Sequence, residues 1–165
     1  MTRKVKIGNI VIGGGENIAI QSMTNTKTSD IDGTVKQLCE LEKAGCEIAR
    51  CSVPDVASAL ALKEIVASTS IPIVADIHFD YRLAIKAADA GAAKIRINPG
   101  NIGDESKVEY LAKYLKERGI PIRIGVNGGS LDKKYEGLPL AEAMCESALE
   151  HVALLEKHSF YDIVI

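Results

Sequence analysis

Short apolar segments alternate with longer amphipathic segments along almost the whole chain. The apolar segments are rich in β-branched residues and end in polar or glycine-containing turns, which is typical of buried strands. The amphipathic segments repeat apolar residues at helical spacing, and several end at a glycine. Strands that alternate with helices in this way predict an α/β protein with parallel strands joined by right-handed crossovers.

The predicted elements follow one another in a regular order. A small hairpin covers residues 4–14, and the first long helix is expected to be capped by Ser29 or Asp30. Six strands are predicted, at Ala19–Met23, Glu47–Ser52, Ile73–Ile77, Lys94–Asn98, Ile122–Val126 and Tyr161–Ile165. Five helices lie between them, at Ile31–Ala44, from after Pro54 to Ala67, Tyr81–Ala90, Asp104–Arg118 and Leu140–His158.

Polar side chains lie near the carboxyl ends of the first five long strands, and this favours a TIM-type (β/α)₈ barrel over an open doubly wound sheet. In a barrel these ends converge on one mouth, whereas an open sheet spreads them along a line. No GxGxxG motif follows the first strand, which weakens a dinucleotide-binding interpretation. A complete barrel needs about 250 residues. We therefore expect residues 1–165 to form part of a barrel, truncated after roughly five and a half βα units, or an architecture that is not closed.

One motif occurs twice and organises the predicted site. The segment KIRINPGNIG alternates polar and apolar residues and then stops at a Pro-Gly turn, so Lys94, Arg96 and Asn98 share one face of a strand. Twenty-seven residues later the pattern returns with Arg123 and Asn127, followed by a glycine-rich turn. Two such strands side by side would aim two guanidinium groups and two amides into one crevice.

Arg50, Arg96 and Arg123 occupy equivalent positions near the ends of three strands. Guanidinium groups bind phosphate oxygens in a bidentate way, and three of them suit a diphosphate better than a carboxylate. The structural alternative is that each arginine only pairs with a neighbouring Asp or Glu. Three arginines in register favour an anion-binding site.

Asp76 and His78 are two residues apart on a predicted strand and therefore share a face. Together they could hold substrate hydroxyls, act as acid and base, or supply two ligands to a metal. A buried aspartate that orients a histidine for structural reasons is the alternative. We take them as the candidate catalytic pair and assign no metal ligands.

Composition excludes several classes of protein. The chain of 165 residues is 47% hydrophobic and 25% charged, which is typical of one globular domain. A net charge of −2 argues against a nucleic-acid surface. No apolar run approaches the roughly 18 residues of a membrane span, and the N-terminus lacks signal-peptide features, so we expect a cytoplasmic protein. The four cysteines form no CxxC motif and are expected to be buried apolar residues.

Five segments in the same order resemble the N-terminal barrel of the 4-hydroxy-3-methylbut-2-enyl diphosphate synthase family: QSMTNTKTSD, AGCEIARCSVP, IPIVADIHFDYRLA, KIRINPGNIG and IRIGVNGGSL. This family reductively opens and dehydrates 2-C-methyl-D-erythritol 2,4-cyclodiphosphate in isoprenoid biosynthesis. The resemblance implies that Arg50, Arg96 and Arg123 hold the diphosphate. It also implies that the substrate pocket is lined by Asp76, His78, Asn98 and Asn127.

The resemblance further implies a [4Fe–4S] cluster, held by three cysteines and a glutamate in a C-terminal domain, with ferredoxin or flavodoxin as electron donor. Cys39, Cys46, Cys51 and Cys145 do not match the cluster motif. The full-length parent would be an iron–sulfur oxidoreductase and a homodimer. This chain alone is expected to bind the substrate without turning it over.

Two other interpretations remain open from the sequence. A pteridine-binding barrel of the dihydropteroate synthase kind also binds diphosphate at its mouth, but that family's Asp-Ser loop after strand one is absent here. The second interpretation is a non-catalytic fragment that only binds a ligand or takes part in assembly. The unpaired edges expected at strands one and six also predict self-association, most simply as a two-fold dimer.

Overall fold

The computed structural model describes residues 2–165 and shows one curled parallel sheet with helices on its outer side. A separate antiparallel hairpin consists of β1 (Val5–Ile7) and β2 (Ile10–Ile12). The sheet contains six parallel strands in sequential order: β3 (Gln21–Met23), β4 (Ile48–Ser52), β5 (Ile73–Asp76), β6 (Lys94–Ile97), β7 (Ile122–Ile124) and β8 (Ile163–Val164). This architecture confirms the predicted barrel-type α/β fold, here as a half-barrel with β3 and β8 at its edges.

Five α-helices connect the strands: α1 (Ile31–Lys43), α2 (Val56–Ala67), α3 (Tyr81–Asp89), α4 (Glu105–Glu117) and α5 (Leu140–Lys157). The first four begin at an aspartate whose carboxylate accepts a hydrogen bond from a backbone N–H of the first turn, at Asp30, Asp55, Asp80 and Asp104. Each cap fixes the point at which the chain leaves the mouth of the half-barrel and enters a helix.

Most predicted elements are present with ends shorter by one or two residues. The sequence pattern did not predict two short 3₁₀ helices, Gly128–Ser130 and Lys133–Tyr135, which lie between β7 and α5. No helix among residues 2–165 is long and apolar enough to cross a membrane.

The two faces of the sheet have different chemistry. Alternate residues such as Ala75, Ile95 and Ile97 point outwards and are fully buried against the helices in the main core. The residues between them on the same strands, including Asp76 and Arg96, point to the inner face. The sheet therefore buries its apolar face under helices and turns its polar face to the inside of the half-barrel.

The hairpin packs against the lower part of the inner face. Val5 and Ile7 form a second apolar cluster with Ile48 and Val74, and Val164 packs against its edge. These strand residues precede the polar positions of the same strands. The hairpin thus closes the bottom of the half-barrel with apolar side chains and leaves the carboxyl ends of the strands open.

Lys94 spans the inside of the half-barrel. Its Nζ donates a hydrogen bond of 3.2 Å to Oε1 of Gln21, although β6 and β3 are separated by two strands in the sheet. In a flat sheet the two strands would lie about 14 Å apart, at roughly 4.8 Å per strand. The bond therefore depends on the curl of the sheet.

The Lys94 ammonium is buried at a cost in stability. Lys94 is 2% exposed. Burial lowers the pKa of its ammonium from 10.5 to about 8, and the positive charges of Arg123 and Arg50 act in the same direction. The unfolded chain holds this proton up to higher pH than the folded chain. The stability of the folded chain should therefore rise as the pH increases from about 8 towards 10.5.

Replacing Lys94 with methionine should raise the free energy of unfolding at pH 7 by about 1–3 kcal/mol, because a shift of one pKa unit corresponds to roughly 1.4 kcal/mol. Urea unfolding followed by circular dichroism at pH 7 and pH 10 measures this difference. The gain should shrink at pH 10, where the folded parent chain has lost the Lys94 proton. Lys86→Met, at an exposed lysine of α3, is the control and should change stability by less than about 0.5 kcal/mol. If the Lys94→Met chain is less stable than the parent at pH 7, the buried Lys94 charge does not destabilise the folded chain.

Candidate anion-binding site at the mouth of the half-barrel

Polar and charged residues of neighbouring strands lie side by side at the mouth of the half-barrel. The strand register pairs Ser52 with Asp76, Asp76 with Arg96, and Arg96 with Arg123. Because side chains directly opposite one another in paired strands share a face, all four point inwards. The structure therefore brings together residues whose proximity the sequence could only suggest.

Asp76 links two of the arginines. Its carboxylate accepts a hydrogen bond of 2.6 Å from Nη2 of Arg50 and one of 3.1 Å from Nη1 of Arg96. Asp76 is 1% exposed and Arg96 is 5% exposed, whereas Arg50 is partly open to solvent. The structural alternative of arginines that pair with a carboxylate thus holds for two of the three, and both share a single negative charge.

Arg123 has no carboxylate within salt-bridge distance among residues 2–165. Burial, followed by the positive charges of Arg50 and Arg96, lowers the pKa of its guanidinium, and Asp76 only partly offsets this effect. Nε of Arg50 is also buried without a hydrogen-bond partner among the described residues. Two guanidinium groups of the site therefore keep unused capacity to bind an anion.

The three arginines line a cavity of about 360 Å³, which we call the arginine crevice. Its other walls come from the chain after β7, the end of β8 and one face of α5, and include Gly125, Val126, Asn127, Met144, Ala148 and Ile165. The predicted site residue Asn127 therefore lies at this crevice.

His78 lies just after β5, and its Nε2 is 3.4 Å from Oδ2 of Asp76. Its side chain is 42% exposed, so it sits at the solvent side of the buried aspartate. Phe79 follows and is largely exposed at the same rim, with its ring 6.0 Å from the His78 ring. Asp76 can therefore orient the His78 imidazole at the solvent side of the mouth.

Asn98 lies apart from the arginine crevice. It is buried, and its Oδ1 accepts a hydrogen bond of 3.1 Å from the backbone N–H of Gly100. Its residue lines a different cavity, of about 590 Å³, between the turn after β6 and α5. In this position the Asn98 side chain stabilises the Pro-Gly turn that follows β6. Contact between Asn98 and a substrate stays a prediction.

Gly125 is a site residue that the sequence interpretation missed. A Cβ atom at this position would lie 1.9 Å from Nε of Arg96, and the Gly125 carbonyl accepts a hydrogen bond of 3.4 Å from Nη2 of the same arginine. Only glycine leaves room for the guanidinium group here. The available signal was a glycine at an inward position of a strand, which often marks the close approach of another group.

The cysteines do not fit an iron–sulfur cluster. Cys46 and Cys51 are buried in the core as expected. The expectation was wrong for Cys39, which is half-buried on α1, and for Cys145, which is exposed on α5. Within residues 2–165 no group of three or more His, Cys, Asp or Glu side chains could hold a metal ion. These residues supply no site for such a cluster.

Substituting Gly125 with alanine should displace the Arg96 guanidinium and weaken its bond to Asp76. Overpacking of this kind costs about 1–3 kcal/mol of stability, measured by urea unfolding. Gly129→Ala is the matched control, because a Cβ atom at Gly129 would meet no atom within 4 Å. Equal stabilities of the two variants would show that Arg96 is free to move away from Gly125 at no cost.

Solved structures similar to this chain include two dihydropteroate synthases. The Yersinia pestis enzyme superposes with a TM-score of 0.72 at 10% sequence identity, over 97% of this chain and 60% of that chain. The Vibrio fischeri enzyme gives a TM-score of 0.68 at 13% identity, over 98% of this chain and 65% of that chain. At such low identity the likeness shows a shared fold and carries no statement about function.

Curated relatives are much more similar in sequence. The 4-hydroxy-3-methylbut-2-en-1-yl diphosphate synthase (flavodoxin) of Clostridium perfringens is 60% identical over 99% of this chain and 48% of its own length. The protein of the same name from Caldanaerobacter subterraneus is 58% identical over 100% of this chain and 47% of its own length. The chain therefore spans about half the length of these relatives.

The family model described as the GcpE TIM-barrel domain matches residues 2–165. This match covers nearly all of the chain, and it agrees with the curled parallel sheet and with the order of the strand-end motifs. The chain therefore belongs to the GcpE TIM-barrel family.

Proposed function

We propose that this chain forms the substrate-binding part of a 4-hydroxy-3-methylbut-2-en-1-yl diphosphate synthase, an oxidoreductase of isoprenoid biosynthesis. In this proposal the arginine crevice binds the diphosphate of 2-C-methyl-D-erythritol 2,4-cyclodiphosphate. The names of the relatives support the activity, and the geometry of the strand ends supports the place where the substrate binds.

The main support for this proposal is the excess of positive charge in the arginine crevice. Three guanidinium groups converge on one cavity, and Asp76 is the one carboxylate among the described residues that pairs with any of them. A purely structural cluster would be expected to hold more negative charge, because buried charges without partners are unfavourable. A diphosphate supplies that charge and accepts bidentate hydrogen bonds from guanidinium forks.

His78 is proposed to act on the non-phosphate part of the substrate, and Asp76 is proposed to position His78 for that role. Asp76 is engaged by Arg50 and Arg96, so we assign it the role of fixing the arginines and His78. His78 is the partly exposed member and is proposed to bind a substrate hydroxyl or to move a proton there. Asn127 at the crevice is proposed to bind the substrate through its amide.

Electron transfer is proposed to depend on parts of the enzyme other than residues 2–165. The relatives are named for flavodoxin, and we propose flavodoxin as the donor for the whole enzyme of this family member. A [4Fe–4S] cluster would supply the electrons, but the cysteines of this chain do not form its site. The chain alone is therefore proposed to bind the substrate without turning it over.

A homodimer is the proposed assembly of the isolated chain. The edge strand β3 and the residues before it expose large apolar side chains at Ile18, Ile20 and Met23, of which Ile18 is 94% exposed. The opposite edge ends at Ile165, which is 66% exposed. Unpaired edges with apolar side chains recruit other strands, so two chains would cover each other's edges.

The Arg96→Ala/Arg123→Ala double variant should lose affinity for inorganic pyrophosphate by more than about tenfold, because each charge-assisted hydrogen bond contributes roughly 1.5–3 kcal/mol. Isothermal titration calorimetry at pH 7 measures this loss. Circular dichroism shows whether the variant is folded, and Arg96→Lys/Arg123→Lys, which keeps both charges, should bind with intermediate affinity.

The matched control is Arg82→Ala/Arg118→Ala, which removes two more exposed arginines paired with Asp80 and Asp89. This control has the same net charge as the test variant and should bind pyrophosphate as the parent chain does. Equal losses of pyrophosphate affinity in both double variants would show that only the net charge of the chain matters. No loss of affinity in either variant would contradict the proposed site.

Light scattering at micromolar concentration should give about twice the chain mass of 17.7 kDa. Ile18→Lys/Ile20→Lys should shift the chain towards the monomer, because the added charges disfavour pairing at this edge. Leu60→Lys/Leu149→Lys, at exposed helical positions, is the control and should leave the mass unchanged. A parent chain that runs as a clean monomer rules out the dimer.

A further inference from the structure

We propose that Lys94 is a further anion-binding residue, whose ammonium lies below the arginine crevice and gives the bound anion a fourth cationic partner. The inference rests on the proposed diphosphate site and extends it by one residue. The Lys94 side chain shares the inward face of β6 with Arg96 and has no role in the proposed function.

The strand register places Lys94 one row below Arg96 and Arg123 and in the same row as Arg50. Arg50 pairs with Val74 and Val74 pairs with Lys94, so Arg50 and Lys94 lie in the same inward-facing row. Asp76, Arg96 and Arg123 form the next row, two residues further along their strands. Two residues of a strand correspond to about 6.6 Å. Lys94 is therefore one layer deeper in the same interior.

The Lys94 ammonium lacks the partner that a buried charge normally has. No carboxylate lies within salt-bridge distance of it among residues 2–165, and its hydrogen bond goes to the neutral amide of Gln21. An ammonium group can donate three hydrogen bonds. At least one charge and two donors are left for a ligand that extends below the arginine crevice.

The charged groups around Lys94 are mostly cationic, and its other neighbours are uncharged. Gln21 on β3 is neutral, Val164 on β8 is apolar, and the hairpin below contributes apolar side chains. The charged groups on the intervening strands are Arg50 on β4, Asp76 on β5, Arg96 on β6 and Arg123 on β7. Four cations therefore surround one carboxylate, which favours an anion with at least two negative charges.

This arrangement has a consequence for pH. Burial and the neighbouring arginines lower the Lys94 pKa to about 8 in the free chain. A bound dianion stabilises the ammonium and raises its pKa again. Between about pH 8 and the raised pKa, binding of the anion must therefore draw a proton onto Lys94.

Titration calorimetry with inorganic sulfate at pH 8.5, in two buffers that differ in ionisation enthalpy, tests this inference. Sulfate carries the same charge throughout this pH range, so a proton taken up on binding must go to the protein. The parent chain should take up a fraction of a proton per sulfate. Lys94→Met should bind sulfate about tenfold more weakly, because one charge-assisted hydrogen bond is lost. This variant should take up no proton when sulfate binds.

Two matched variants separate charge from structure. Lys94→Arg keeps the positive charge but does not titrate near pH 8.5, so it should bind sulfate without proton uptake. Lys86→Met, on the exposed face of α3, should match the parent in both affinity and proton uptake. If Lys94→Met and Lys94→Arg both keep the affinity and the proton uptake of the parent, the inference is overturned.

The same titrations distinguish this inference from the proposed function. Loss of sulfate binding in Arg96→Ala/Arg123→Ala, together with parent-like behaviour of Lys94→Met, overturns the role of Lys94 and leaves the arginine site standing. Parent-like binding in both variants overturns the proposed anion site as well.

Discussion

The candidate site depends on one buried carboxylate. Asp76 holds Arg50 on one neighbouring strand and Arg96 on the other, and this bridge fixes both guanidinium groups at the mouth of the half-barrel. The bridge requires three strands in register, since a slip of one residue would turn these side chains to the apolar outer face. Buried ion pairs add little net stability once desolvation is counted. Here the main effect of the two ion pairs is to fix the orientation of the guanidinium groups.

The inside of the half-barrel changes in polarity from bottom to top. Val5 and Ile7 of the hairpin close the bottom with an apolar layer, the Lys94 ammonium lies above it, and the guanidinium groups follow. Because the lower layers exclude water, the effective dielectric constant around the cations is lower than in solvent. An anion that enters from the mouth therefore interacts more strongly with these cations than it would with arginines on an open surface.

Hydrophobic periodicity predicted the fold well, because each strand and each helix buries a face that its own sequence defines. The grouping of Arg50, Arg96 and Arg123 followed from their positions near strand ends, but the expectation that all three are in register was wrong, because Arg50 lies one row below the other two. Features that depend on the curl of the sheet could not be predicted in this way. The bond between Lys94 and Gln21 crosses the interior between distant strands.

The contacts of single residues near the site were also beyond the sequence pattern. Gly125 is needed because the Arg96 guanidinium lies on its backbone, and no local signal states which side chain will occupy that space. Asn98 shares the inward face of its strand with Arg96, but it turns to its own Pro-Gly turn and contacts a different cavity. Alternation predicts the face of a side chain, whereas its partners are decided by tertiary packing.

The position of the hairpin has a consequence for the order of folding. Val164 packs against the cluster formed by Val5 and Ile7, and Arg3 forms a salt bridge of 3.2 Å with Asp162. These contacts join residues separated by almost the entire described sequence, so their loop-closure entropy is large. During synthesis the hairpin can meet β4 and β5 early, but it gains its contacts with β8 only after that strand has left the ribosome. The bottom of the half-barrel therefore becomes fully packed only late in synthesis.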